Sequence, residues 1–474
     1  MAILKFIFTL FEVVLLFNLL IFVHELGHFL AARWRGLKVD RFAVWFGKPI
    51  WKKKINGVEY ALGCIPAGGY VSLPQMATME AIEGKGESSG KPLPPISALD
   101  KIIVAIAGPL FSFLLAVFFA VIVWTVGKPV NGDENTTKIG WVDPNGPAWK
   151  AGLRPGDQIL SIDGHKVTQF GGQSADSITW RIITSQETNI VFKYSRDGVE
   201  NLAYATPTHL DTKWYERKGL RKVLILPASK AVIYEVATNS PAALAGLQRG
   251  DEVVALNGKA VFSPETVVSA EALMTNGPAE PLALTIRRGS EKFEKSLTPE
   301  KPLKPAKNGP SLGIVSYLVS TNVLLTHPNP VEQIQTSASQ IFSTLGTIFS
   351  RKSEVGIQQL GGAVMIIRLY TNLFESENGW RLVLWFSVVL NINLAMLNML
   401  PFPVLDGGHI TLALFEVVRR RPVSGRVLQY IQTACAVILI GFMLFIMFFD
   451  TGDWVRSARK EKERVEPLVF QPKH

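Results

Sequence analysis

The chain has 474 residues, 48% of them hydrophobic and 19% charged, with a net charge of +10 at pH 7 and two cysteines. Its mean hydropathy of +0.22 excludes an ordinary soluble domain as the whole molecule and points to membrane spans joined to polar parts. The basic residues crowd the flanks of apolar segments, so the charge does not imply nucleic acid, and Cys64 and Cys435 are too few for a disulfide framework.

The first apolar segment runs from about Leu4 to Ala32, long enough to span a bilayer. Between Phe6 and Val23 only Thr9, Glu12 and Asn18 interrupt it, and it flows directly into His24-Glu25-Leu26-Gly27-His28. No small-residue cleavage site precedes that motif, so the segment is expected to stay in place rather than be removed as a signal peptide. A helix sets residues i and i+4 on one face, so both imidazoles can bind one metal ion while Glu25 holds and deprotonates a metal-activated water. Two histidines one turn apart can also be plain polar residues at a helix end. Ionisable groups at bilayer depth cost about 2.5–3.5 kcal/mol each, however, and three together call for a compensating cation.

Arg33, Arg35, Lys38, Arg41, Lys48, Lys52, Lys53 and Lys54 follow this span. A second span is expected at about Ile102–Val126, a third at about Leu382–Leu400 and a fourth at about Tyr430–Phe449, with Arg419, Arg420, Arg421 and Arg426 between the last two. By the positive-inside rule both basic loops are cytoplasmic, which puts both termini and the long 128–380 segment outside. The tail residues Arg456, Arg459, Lys460, Lys462 and Arg464 run against that assignment. Cys64 then falls in a cytoplasmic loop and Cys435 in a span, so no disulfide is expected.

The outer segment contains a repeat. Asn145-Gly-Pro-Ala-Trp-Lys-Ala-Gly-Leu-Arg-Pro-Gly-Asp157 is followed, without a gap in register, by Asn239-Ser-Pro-Ala-Ala-Leu-Ala-Gly-Leu-Gln-Arg-Gly-Asp251. Each copy reads on into an alternating strand and an Asp-Gly or Asn-Gly turn, at Asp163-Gly164 and Asn257-Gly258. The unit resembles the circularly permuted PDZ domains of bacterial envelope proteases, in two tandem copies at 131–223 and 224–305. Such folds take chain ends as an added strand, or act as a size filter or spacer; both roles stay open. Pro302, Pro305 and Pro310 indicate a linker, and residues 330–350 have a helical periodicity suited to a membrane surface.

A catalytic zinc takes three protein ligands and keeps one open position. His165, His209, His327 and His474 lie in the outer segments, so the third ligand is expected from Asn398-Met-Leu-Pro401-Phe-Pro403-Val-Leu-Asp406-Gly-Gly-His409 at the end of the third span. Pro401 and Pro403 break that helix and free backbone groups tolerable only around a wet cavity. Asp406 is the preferred ligand because a carboxylate offsets part of the metal's charge; His409 is the rival.

With these residues the chain resembles the site-2 protease family of intramembrane zinc metalloproteases over nearly its whole length. The resemblance rests on four spans, His-Glu-Leu-Gly-His, two PDZ modules between spans two and three, and Asn-x-x-Pro-x-Pro-x-x-Leu-Asp-Gly-Gly. It implies Zn2+ on His24, His28 and Asp406, Glu25 as general base, and Asn398 on the substrate backbone or the developing oxyanion. Gly63-Cys-Ile-Pro-Ala-Gly-Gly-Tyr-Val71 looks like the family's membrane-reentrant β-hairpin. There Gly68, Gly69 and Tyr70 would face an unwound substrate, alongside Pro401 and Pro403. Two departures stand out: Ser112 where relatives usually carry Asn, and Leu360-Gly-Gly-Ala363 without the usual Ser and Pro. Neither is expected to touch the zinc ligands.

The expectation is a polytopic α-helical protein of the bacterial inner membrane with a reentrant β-hairpin region and two extracytoplasmic, mainly β, PDZ domains. Its segments are a first span with the histidines (1–33), a cytoplasmic β region with a flexible linker at Glu80–Pro95 (34–99), a second span (100–127) and the two modules. A linker and surface helix (306–379), a third span with the aspartate (380–418), a fourth span (428–450) and the basic tail (451–474) complete it. The expected substrates are single-pass membrane proteins already trimmed on their outer side; by resemblance these are an anti-sigma factor, signal-peptide remnants, or both. The rival readings are a membrane-anchored tandem-PDZ adaptor with a vestigial metal site, and metal transport through Glu12, Asn18, Asn391 and Asn393, which are too scattered to trace a path.

Overall fold

A computed structural model of the chain describes residues 2–76, 96–133, 135–172, 174–209, 211–274, 278–305, 309–318, 323–350, 353–376, 378–420, 423, 425–464 and 467–472. The expected linker Glu80–Pro95 and His474 lie outside them. The chain forms two units: residues 1–128, 326–342 and 360–450, and residues 129–325, 343–359 and 451–474.

The first unit is helical: α1 (Ala2–Trp34), α2 (Ala98–Val126), most of α3 (Pro330–Phe349), α4 (Ala363–Glu375), α5 (Gly379–Asn398), α6 (Asp406–Arg419) and α7 (Gly425–Arg464) up to Asp450, the ends of α3 and α7 belonging to the second unit. Of these, α1, α2, α5 and α7 are long and apolar enough to cross a membrane. Helix α1 packs closely on α2 because Gly27, inside the histidine motif, has no side chain; a Cβ there would lie 2.3 Å from the Ala107 carbonyl oxygen. Tyr370 of α4 is fully buried with Val13 and Val383, and its hydroxyl meets the Ser387 hydroxyl at 3.0 Å. The N-terminus of α4 is capped from α7, where Asp450 Oδ2 accepts from the Gly362 and Met365 amides at 3.0 and 3.1 Å.

A four-stranded sheet follows α1, in the order β2 (Trp51–Ile55), β3 (Val58–Leu62), β1 (Arg41–Phe46), β4 (Ile65–Ser72). The expected hairpin over Gly63–Val71 is not formed. Strand β1 lies between β3 and β4, parallel to the first and antiparallel to the second. The chain crosses the end of β1 at Gly63, where a Cβ would sit 2.3 Å from the Phe46 carbonyl oxygen. The hairpin is instead β2–β3, turned at Asn56 and Gly57 with φ of 48° and 85°. As a result β4 is an edge strand. Ala31, Ala32, Phe42, Val71, Leu73 and Val104 form a buried cluster that fastens this sheet to the end of α1 and the start of α2.

In the second unit, β5 (Lys128–Asn131) pairs with the late strand β18 (Val323–Thr326). Its first module has a sheet in the order β10 (Val199–Ala205), β9 (Ile190–Arg196), β7 (Gln158–Ile162), β8 (His165–Lys166), and the pair β11 (Ile225–Pro227) with β6 (Ile139–Val142). The second has the order β16 (Glu291–Leu297), β15 (Leu282–Arg288), β13 (Glu252–Leu256), β12 (Ala231–Val236), β17 (Ile314–Tyr317), with β14 (Lys259–Ala260) on β13. Each module has its own apolar core, around Ile162 and Phe192 in one and Ile233 and Leu284 in the other.

The sequence repeat has a direct structural cause. Buried Asp157 accepts from the Arg154 amide and from the Arg196 guanidinium at 2.7 and 2.8 Å, and Arg196 also reaches the Gly152 carbonyl. Asp251, Gln248, Arg288 and Gly246 repeat the same set in the second module. Strand β17 lies beyond residue 305, where the linker was expected to begin. Residues 451–472 also join this unit: Arg217 pairs with Asp453 at 2.9 Å, Val469 exchanges backbone hydrogen bonds with Leu303 and Lys304, and Phe470 is buried.

One carboxylate in the second module gives a pH prediction. Glu271, on the short helix Glu265–Leu273, accepts from the Leu312 amide at 2.9 Å and the Ser311 hydroxyl at 3.2 Å. Burial outweighs these bonds and pushes its carboxyl up to about 7. The folded module therefore holds a proton that the unfolded chain has released, so this contribution is present at acid pH and is lost as pH rises from about 4.5 to 7. Amide exchange across Ser311–Tyr317 is expected to be slower at pH 5.5 than at pH 8, after correction for intrinsic rates, and Glu271→Gln is expected to flatten the difference. An unchanged slope in the variant would assign it elsewhere.

Candidate active site

His24 and His28 lie one turn apart near the end of α1, and Asp406 is the first residue of α6. All three are buried. Asp406 Oδ2 lies 3.2 Å from His24 Nε2 and Oδ1 lies 3.3 Å from His28 Nε2, while the two Nε2 atoms are 3.3 Å apart. Asp406 Oδ2 is buried and has no hydrogen-bond partner among the described residues. Two imidazole nitrogens and a carboxylate converge within 3.2–3.3 Å of one another, and this buried donor set, with Asp406 Oδ2 left over, fits a divalent cation. They are also the number and type of protein ligands in a catalytic zinc site with an open position. Among the described residues, this is the one group of His, Cys, Asp and Glu side chains able to hold a metal ion.

The turn that delivers Asp406 depends on its sequence. Helix α5 stops at Asn398, two prolines follow, and the chain folds back so tightly that a Cβ on Gly407 would be 2.2 Å from the Met399 oxygen and one on Gly408 2.0 Å from the Phe402 oxygen. The two glycines after Asp406 are thus a packing requirement. The Pro403 carbonyl accepts from Gln432 of α7 at 3.4 Å. Asn398 Nδ2 lies 3.3 Å from His24 Nε2, so its amide borders the same small space.

Glu25 completes the surround. Its carboxylate accepts a hydrogen bond from the Val71 backbone of β4, and its Oε2 is buried without a partner among the described residues. Gly69 stands beside it: a Cβ there would lie 3.5 Å from Glu25 Cγ. The edge strand β4 therefore runs directly past the carboxylate. Gly68, at φ +88°, leaves room for the Phe46 ring, and Tyr70 stacks on that ring at 6.0 Å while its hydroxyl meets Arg41 at 3.1 Å.

The sequence profile of peptidase family M50 matches residues 12–442. The chain belongs to that family. It is similar to the regulator of sigma E protease of Haemophilus influenzae, 29% identical over 94% of this chain and 99% of the relative. It is also similar to the regulator of sigma-E protease RseP of Salmonella typhimurium (28%, covering 91% and 96%) and of Escherichia coli K12 (27%, covering 94% and 99%). The peptidase is thus an intramembrane zinc metalloprotease of the site-2 type.

Of the residues singled out in the peptidase's sequence, His24, Glu25, His28, Asn398, Asp406 and Gly69 come together. Gly68 and Tyr70 serve the sheet, and Pro401 and Pro403 shape the turn. His409 is not part of the metal-holding group. One expectation is corrected. Ser112, thought to be clear of the ligands, has its hydroxyl 3.0 Å from His24 Nδ1, because α2 presents it at the same depth as the histidine. Sequence reasoning also missed Val104, whose carbonyl takes the Nδ1 proton of His28 at 2.8 Å, and Gly108, where a Cβ would be 2.1 Å from His28 Nε2. The spacing 104, 108, 112 puts all three on one helical stripe, a signal present in the sequence.

Proposed function

We propose that the peptidase hydrolyses peptide bonds in or beside the transmembrane segment of single-pass proteins, with zinc held by His24, His28 and Asp406 and Glu25 as general base. The observation that carries this reading is the convergence of those three ligands beside a Glu25 carboxylate whose Oε2 has no partner, and beside a strand edge that is free, among the described residues. Zinc held by His24, His28 and Asp406 would supply Lewis acidity, making a carbonyl more electrophilic and a water easier to deprotonate near neutral pH. Glu25 takes that proton and returns it to the departing amine. The Asn398 amide donates to the oxygen on which negative charge grows. A helical substrate hides its carbonyls, so it must unwind, and β4 from Gly68 to Tyr70 offers an edge, unpaired among the described residues, on which an extended segment adds as a strand.

In the same reading the two β modules are PDZ domains outside the bacterial inner membrane, acting on trimmed substrates by chain-end capture or by size exclusion. Both termini lie on that outer side; the placement of residues 451–472 with the modules supports this despite the tail's basic charge. Anti-sigma factors and signal-peptide remnants are the substrate classes that the family resemblance favours, and the relatives' names as regulators of sigma E accord with the first.

The test uses purified protein and a model single-pass substrate in detergent, with the cleavage point located by mass spectrometry. Cleavage is expected inside or at the border of the span, and faster when its residues include Gly, Ala and Ser than when they are all Leu. Cleavage confined to exposed loops, indifferent to span composition, would overturn the intramembrane assignment.

A further inference from the structure

We infer that Ser112 is a positioning residue for the metal centre: its hydroxyl accepts the Nδ1 proton of His24 and fixes that ring as an Nε2 ligand. The inference rests on the metal reading of His24, His28 and Asp406.

A neutral imidazole has two tautomers, and only the one protonated on Nδ1 leaves the Nε2 lone pair free. For His28 the structure decides the tautomer. The Val104 carbonyl oxygen, 2.8 Å from Nδ1, can only accept, so Nδ1 carries the proton. His24 presents the same geometry: Nε2 faces Asp406 and Asn398 at 3.2 and 3.3 Å, and Nδ1 faces Ser112 Oγ at 3.0 Å on the opposite side. Ser112 is fully buried in α2, so its hydroxyl is shielded from bulk solvent. Val104, Gly108 and Ser112 recur at four-residue spacing on one stripe of α2, supplying in turn a carbonyl acceptor, a gap without a side chain for the His28 ring, and a hydroxyl acceptor. One helix thereby orients both imidazoles. Outer partners of this kind set ligand orientation and basicity, and their removal typically costs about 10–100-fold in metal affinity.

The test is zinc affinity of the purified full chain, measured by competition with a chromophoric chelator, for wild type, Ser112→Ala, Ser112→Cys and Ser112→Thr. Ala removes the acceptor, Cys keeps the volume but offers only a weak one, and Thr keeps the oxygen. Ala and Cys are expected to weaken zinc binding about 10–100-fold while Thr stays near wild type. If Ala fails to fold, Cys carries the comparison. Wild-type affinity in Ala or Cys overturns the assignment, and so does an equal loss in Thr, which would mark a packing effect. Absence of zinc binding in wild type would instead sink the metal reading itself.

Discussion

Glu25→Gln protein is expected to retain its zinc and to cleave a single-pass substrate about 10²–10⁴-fold more slowly than wild type, the usual range for removing a general base. Glutamine matches glutamate in shape, and its carbonyl can still accept the Val71 backbone hydrogen bond. The other oxygen, Oε2, has no partner among the described residues, so an amide nitrogen in its place breaks no protein contact. The contact with Gly69 involves Cγ and is unchanged. What disappears is the ability to take a proton. Zinc is measured by elemental analysis of the purified protein and cleavage by product mass on the same preparation. Normal cleavage would remove Glu25 from the chemistry and favour a vestigial site on a membrane adaptor. Loss of zinc together with cleavage would make Glu25 part of the metal's support.

The chemistry was the easiest part of this chain to read because each of its demands is local in sequence. His24 and His28 are one turn apart, and their apolar surroundings made a cation necessary. Asp406, which the structure brings beside them, was singled out by elimination among few histidines and from the prolines that break α5. The repeat was legible because a buried Asp, its Arg partner and a Gly carbonyl recur together, and that set tolerates little change. The sheet beside α1 was harder. The Asn56-Gly57 turn is a strong local signal for a hairpin, but the insertion of β1 between β3 and β4 depends on pairing between distant strands, which no local pattern encodes. The role of α2 was hidden for a related reason. Val104 acts through its backbone, Gly108 through a missing side chain and Ser112 through a contact across helices, so their meaning exists only once α1 lies against them.

Gly108→Ala should separate helix stability from metal binding, because the two respond with opposite sign. Alanine is favoured over glycine in a helix interior by about 1 kcal/mol, so α2 by itself gains. The new methyl, however, would lie 2.1 Å from His28 Nε2 and 2.5 Å from Cε1, well inside van der Waals contact. The ring cannot swing away freely, since its Nδ1 is held by the Val104 carbonyl and the residue is buried. Overpacking of this kind costs about 1–3 kcal/mol, so after the helix gain the net loss is about 0–2 kcal/mol and the protein should still fold. The displaced atom is the proposed ligand atom itself. Zinc binding should therefore fall below detection at stoichiometric metal, and proteolysis with it. Gly441→Ala in α7 is the control, because a Cβ there meets nothing within 4 Å, and it should keep both zinc and activity. A Gly108→Ala protein that binds zinc as wild type does would mean that α1 and α2 lie further apart than this packing allows, and the assignment of α2 as the template for both histidines would fall with it.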